Sequence, residues 1–171
     1  MIDELIVALG VELRAMTPDD WPAVAEIYWD GMRDGLATFE TELPTWPEWD
    51  AAHHADHRLA AERFGHLIGW AALAPVSRRR CYAGVAENSV YVARSARGRG
   101  VGRMLLEALC AAAAEAGIWT IQCSVFPENV ASVSLHEACG FRVVGFRDRL
   151  AQRDGIWRDV LLLERRSEAI E

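Results

Sequence analysis

Lysine is absent: all 18 cationic side chains are arginine. That excludes lysine-based chemistry, including a Walker-type phosphate loop, which needs Gly-Lys-Ser/Thr. Paired cysteine motifs are missing too. Cys81, Cys110, Cys123 and Cys139 form no C-x-x-C and match no zinc-ligand spacing. Cys110 and Cys139 fall in apolar helix-like runs and Cys123 in a strand-like one, which reads as buried reduced thiols in a reducing, cytoplasmic compartment. No apolar run reaches membrane-spanning length, and the opening MIDELIVALG lacks the positive n-region of a signal peptide. Positive charge is in deficit. A formal net charge of −7 repels a phosphate backbone everywhere except at a local basic patch, so no nucleic-acid partner is expected. HHADH places His53 and His57 at i and i+4, but the Glu of H-E-x-x-H and a third ligand are lacking, so no metal is expected.

With 171 residues, 51% of them hydrophobic, the chain is able to bury a sizeable core. There is no linker, repeat or low-complexity segment, so 1–171 reads as one domain, with 1–10 as a flexible N-terminal extension. Near the start, VELRA reads as a strand and Thr17-Pro18-Asp19-Asp20 as the start of a helix. A second helix is expected from about Pro47 to His57. RLAAERFGHLIGWAALAPV reads as two strands joined at Phe64-Gly65, and CYAGVAENSVYVA as a third. A long apolar helix stopped by Gly117, a strand, a short helix stopped by Gly140 and a hairpin about Asp154-Gly155 complete the order β α α β β β α β α β β. That is α/β or α+β, with a mixed sheet.

RSARGRGVGRMLLEAL, residues 94–109, sets flexible residues and dense positive charge at a helix start. It is too short for an RNA-binding Arg/Gly tract. Gly98, Gly100 and Gly102 are spaced G-x-G-x-G, which is not the dinucleotide fingerprint. Two readings stand: a tight turn with solvated arginines, or an anion site in which bare backbone N–H groups at a helix N-terminus grip phosphate, with Arg97, Arg99 and Arg103 at the rim.

VYVARSARGRGVGRMLLEAL resembles the acyl-CoA signature of the GCN5-related N-acetyltransferase (GNAT) superfamily, with Arg97-x-x-Gly100-x-Gly102 as its core motif. PENVASVSLHEACGF resembles the second family motif through Asn129, Ser132, His136 and Gly140-Phe141. FETELPT, CYAGVAENSVYV, SLHEACGF and RDGIWRDV together look like the phosphinothricin acetyltransferase-like branch, which includes enzymes acting on methionine sulfoximine, methionine sulfone and arsinothricin. The resemblance implies a mixed, mostly antiparallel sheet of about seven strands flanked by about four helices.

It also implies acetyl-CoA as co-substrate and direct transfer to the amino group of a small amino-acid-like substrate. Backbone N–H groups from Gly98 through Arg99, Gly100, Val101 and Gly102 to Arg103 would hold the pyrophosphate. Val90-Tyr91-Val92 would pair with the pantetheine arm, with a backbone N–H near Val92 facing the thioester oxygen. Asn129 and Ser132 would lie on the cofactor side. Glu87 matches the base position, against the alternative of an exposed turn glutamate. His136 stands where the superfamily has a thiol-facing tyrosine, against the alternative of a packed helix histidine. Arg79, Arg80 and Tyr82 would take the substrate's acid groups, with Phe39 and Glu40 as pocket walls; the alternatives are a solvated basic loop and loop packing. Gln152 departs from the branch, where an aromatic residue is common. A homodimer is implied, with the apolar WRDVLLLE strand free to pair with a second copy. Two other functions stay open: an N-terminal protein or peptide acetyltransferase, and a CoA-binding module without turnover.

Overall fold

The computed structural model describes residues 10–170, so the expected extension over 1–10 lies outside the described residues apart from Gly10. Seven strands form one sheet: β1 (Val11–Ala15), β2 (Arg58–Arg63), β3 (His66–Pro75), β4 (Val85–Val92), β5 (Thr120–Val125), β6 (Arg142–Arg153) and β7 (Ile156–Arg166). Four helices accompany them: α1 (Trp21–Arg33), α2 (Trp46–Ala52), α3 (Val101–Glu115) and α4 (Val130–Ala138). The sheet order is β1-β2-β3-β4-β5-β7-β6, and every pairing is antiparallel except β4 with β5. Among the described residues no helix is long and apolar enough to cross a membrane.

Both hairpins turn where the sequence signals them. Phe64 and Gly65, and again Asp154 and Gly155, take paired positive φ values of 53° and 76°, and 51° and 78°. That is the twist-matched two-residue turn. Because β7 lies between β5 and β6, the apolar end strand has both edges occupied. It is not free to pair with a second copy; the edge on that side of the sheet is β6.

Helix α2 ends at Ala52, short of the expected His57. The Arg58 guanidinium stops it by donating to the carbonyls of Asp50 (2.9 Å), His53 (3.0 Å) and His54 (2.8 Å). His54 and His57 then bond to Leu73 on β3, through the His54 N–H (2.8 Å) and the His57 carbonyl (3.0 Å). His53 and His57 therefore share no helix face.

The core lies on both sides of the sheet. Leu105, Leu106 and Leu109 of α3 pack against Leu73, Ala86, Ile121 and Leu163. Trp49 and Trp70 meet edge to face on the other side, with Val24 and Ile27 of α1 beside them. Each fully buried leucine of this kind contributes about 1.5–3 kcal/mol.

At the start of α1 the Arg14 fork donates to both oxygens of Asp20 (2.8 Å each), and the Thr17 N–H donates to Oδ2 (2.8 Å). Arg14 foremost, then Thr17, holds the Asp20 carboxyl down to about 2. A carboxylate depressed in the folded state stabilises it above the unfolded pKa, and that stabilisation is lost as pH falls through the folded value. Asp20→Asn should therefore lower the folding stability at neutral pH by about 1–2 kcal/mol, and shrink the stability lost between pH 4 and pH 2, read by thermal melts across that range.

Candidate active site

Strands β4 and β5 pair at only three registers: Val85↔Thr120, Ala86↔Ile121 and Glu87↔Gln122. Beyond Glu87, β4 continues with β3 as far as Val92↔Gly69, and β5 continues with β7 as far as Val125↔Leu161. A cleft of about 950 Å³ opens between them. Asn88–Val92 form one wall and Cys123–Phe126 the other. The α3 entry loop closes one end, α4 lies along it, and residues 36–40 border it.

At the entry loop Gly98 and Gly100 take φ values of 70° and 84°, the left-handed region that turns the chain into α3. A Cβ at Gly98 would meet nothing within 4 Å, so that approach is open. The first N–H of the turn bonded to a carbonyl is that of Met104, to Gly100 at 3.0 Å. The N–H groups before it, at the head of a 15-residue helix, are left to a ligand. Gly102 is different. A Cβ there would lie 3.2 Å from Leu135 Cδ2, so its bareness lets α3 pack on α4.

The rim arginines divide. Arg97 and Arg103 line the cleft and Arg99 does not. Arg97 donates to the Val92 carbonyl (3.0 Å) and pairs with Asp34 (2.8 Å), which Arg94 also contacts. Arg103 pairs with Glu107 at 2.8 Å. These exposed pairs are weak, on the order of 0–1 kcal/mol, and exchange readily for phosphate oxygens. An open turn of unpaired N–H groups flanked by exchangeable arginines fits a diphosphate.

Glu87 sits at the apex, half-buried, where the strands part. Gln122 Nε2 donates to its Oε2 at 3.0 Å, which fixes one carboxylate oxygen and leaves the other unengaged by that amide. His136 is buried in the cleft wall and edge-on to Phe141. Its Nδ1 lies 2.7 Å from the Ser132 carbonyl, and its Nε2 lies 3.0 Å from Asn88 Nδ2. Burial pushes its pKa down and the Ser132 carbonyl opposes that. The ring thus lines the cleft with both of its nitrogens engaged. Asn88 Oδ1 has no partner among the described residues and is buried, a state costing about 1–3 kcal/mol. Asn129 caps α4 by accepting from the Ser132 N–H (3.1 Å) and donates to the Leu36 carbonyl (3.0 Å). Asn129 is thus the N-cap of α4 and also lines the cleft.

Phe39 and Glu40 line the cleft, Phe39 edge-on to Phe126 at 4.8 Å. Arg153 holds their loop. Its guanidinium donates to the carbonyls of Met32 (2.7 Å), Glu40 (2.9 Å) and Thr38. Arg79, Arg80 and Tyr82 lie outside the cleft, exposed on the turn before β4, with Arg79 5.5 Å over the Tyr82 ring. Val90, Tyr91, Val92, Val101 and Ser132 all line it. Sequence reasoning passed over Asp34, Asn88, Gln122 and Arg153. Arg153 and Asn88 sit inside quoted branch motifs, which was a signal; Asp34 and Gln122 carry none.

The family model for the acetyltransferase (GNAT) family matches residues 21–141. Among curated proteins, a phosphinothricin N-acetyltransferase of Alcaligenes faecalis is 37% identical over 92% of this chain and 86% of its own. A methionine sulfoximine/methionine sulfone acetyltransferase of Pseudomonas aeruginosa is 28% identical over 91% of this chain and 94% of its own. Among solved structures, a phosphinothricin acetyltransferase of Sinorhizobium meliloti in complex with AcCoA superposes with a TM-score of 0.83 at 26% identity, covering 92% of this chain and 88% of its own. A ribosomal-protein-alanine N-acetyltransferase of Brucella melitensis superposes at 0.85 with 32% identity, covering 91% and 99%. The chain belongs to the GNAT acetyltransferase family. As a member it is an N-acetyltransferase with acetyl-CoA as co-substrate.

Gly100→Ala places a Cβ at φ 84°, a strain of about 1–2 kcal/mol that also displaces the N–H cradle. Acetyl-CoA affinity should fall about tenfold by calorimetry, with a small drop in thermal midpoint.

Proposed function

We propose that this N-acetyltransferase acetylates the α-amino group of a small amino-acid-like substrate of the phosphinothricin, methionine sulfoximine/sulfone or arsinothricin type by direct transfer, with Glu87 as general base. The observation that carries this reading is the carboxylate at the apex of the parted strands, oriented by Gln122. The names of the curated relatives supply the substrate class.

Acetyl-CoA supplies the activated thioester. The turn N–H groups of Gly98–Arg103, with Arg97 and Arg103, hold its diphosphate. The Asn88–Val92 segment, which has no strand beside it on the cleft side, aligns the pantetheine as an added half-strand. An N–H near Val92 faces the thioester oxygen as charge develops on it. Glu87 takes one proton of the incoming ammonium, which frees its lone pair to form the C–N bond as the C–S bond breaks; the second proton leaves the nitrogen as the amide forms and goes to the departing thiolate, so CoA is released as the thiol. Phe39 and Glu40 wall the acceptor end. Arg79, Arg80 and Tyr82 take part only if their loop is brought to a cleft by a second copy.

A homodimer belongs to this reading. Phe146, Ile156 and Trp157 of the β6–β7 hairpin are 59%, 65% and 54% exposed, an apolar face suited to a second copy. In sedimentation, a Phe146→Arg, Trp157→Arg double variant should run as a monomer where the wild type runs as a dimer.

The Brucella structure supports a second reading, acetylation of protein N-termini. A thiol-release assay with phosphinothricin, methionine sulfoximine and an N-terminal peptide separates the two; turnover of the peptide alone overturns the first. Glu87→Gln should lower kcat by about 100-fold or more, flatten the acidic limb of the pH–rate profile and leave acetyl-CoA affinity nearly unchanged. Unchanged kinetics would remove Glu87 from the mechanism.

A further inference from the structure

The ring of His136 and the amide of Asn88 form a chain with one self-consistent arrangement of protons. The Ser132 carbonyl, 2.7 Å from Nδ1, only accepts, so Nδ1 carries the hydrogen. In the neutral ring Nε2 is then an acceptor. The Asn88 group 3.0 Å from it must be the NH2, which leaves Oδ1 on the far side of the amide. Asn88 lines the cleft, is 7% exposed, and its Oδ1 is the atom without a partner among the described residues. Asn88 follows Glu87 directly on β4, so in extended backbone the two side chains leave opposite faces of the strand at the point where it parts from β5. Asn88 shares its face with Ala86, Val90 and Val92, the side on which α3 and α4 pack.

We infer that Asn88 is the side chain that touches the reacting end of the bound ligands, accepting a hydrogen bond through Oδ1, and that His136 is a positioning residue that fixes the direction of that amide. This rests on the proposed reaction. The matching ligand chemistry is a hydrogen-bond donor, of which the reaction offers two: the N–H of the acceptor amine and the S–H of the released CoA. A ring whose Nδ1 proton is held by Ser132 and whose Nε2 lone pair is held by Asn88 has neither a proton to give the thiolate nor a free site to take one.

The variants separate these roles. Glutamine is able to donate to Ser132 and accept from Asn88, so His136→Gln should keep kcat within about threefold of wild type. His136→Leu and Asn88→Ala should each lower kcat about tenfold or more while acetyl-CoA affinity stays within about threefold, and the double variant should fall no further than the lower single. If the donor is the amine, Asn88→Ala raises its KM; if it is the thiol, product inhibition by CoA weakens. The inference is overturned if His136→Gln falls as far as His136→Leu, if the two losses multiply, or if Asn88→Ala matches wild type. Thermal melts screen out a variant that fails to fold, and the comparison of His136→Gln with Asn88→Ala decides without His136→Leu. NMR of 15N-labelled wild type reads the arrangement directly: the Nδ1–H tautomer of His136, and Asn88 side-chain amide signals that shift on adding CoA or the acceptor amine. The Nε2–H tautomer, or an Asn88 amide unmoved by both, also overturns it. Wild type that shows this tautomer but acetylates nothing in the panel counts against the proposed reaction instead.

Discussion

The site depends on one interruption in backbone pairing. Two parallel strands stay together for three registers and then each follows its other neighbour. Backbone N–H and C=O groups tolerate separation only when something else satisfies them. At the wide end Arg97 does so for the Val92 carbonyl. At the narrow end the Glu87–Gln122 side-chain bond sits beside the last backbone pair. Between these points the exposed edge of β4 is suited to an extended, amide-bearing ligand, because such a ligand replaces the missing strand.

The helices keep the opening from closing. Helices α3 and α4 approach closely because Gly102 carries no side chain, and α4 brings the His136 ring against Asn88. On the opposite face the Trp70, Tyr91 and Tyr28 rings pack in series, stacked at 4.8 Å and edge-on at 4.9 Å, and brace α1 against β3 and β4. From the end of α1, Asp34 reaches the arginines of the entry loop, while Arg153 holds the loop that follows. An acidic protein thus keeps a local cluster of arginines already partly neutralised by Asp34 and Glu107. In the proposed reading the diphosphate is gripped mainly by aimed N–H groups, which do not lose their direction when the side chains move.

Legibility followed the range of the interactions. The order of strands and helices, both hairpin turns and the glycine turn at the head of α3 were readable because each depends on residues a few positions apart. Where a distant residue intervened, reading failed. Helix α2 stops early because Arg58 takes its terminal carbonyls. The β7 strand looked like a free end and is enclosed, since strand order in a sheet does not follow chain order. The SRRRCY turn lies outside the cleft of its own chain and stays a proposed acid-binding site for a second copy's cleft, an arrangement that linear order does not encode. Asp34, Gln122 and Arg153 act through partners 63, 35 and 121 positions away.

By itself the sequence determined the element order, the glycine turn at the head of α3 and the presence of a carboxylate at the strand that leads to it. These follow from local backbone preferences and the periodicity of apolar residues. Only the tertiary structure decided that β4 and β5 part beside that carboxylate, that Gln122 holds it, and that both ring nitrogens of His136 are engaged, by Ser132 and Asn88, in the cleft wall. Those outcomes depend on which strand pairs with which and how closely two helices pack, and a linear pattern does not encode the distance between residues that only folding brings together.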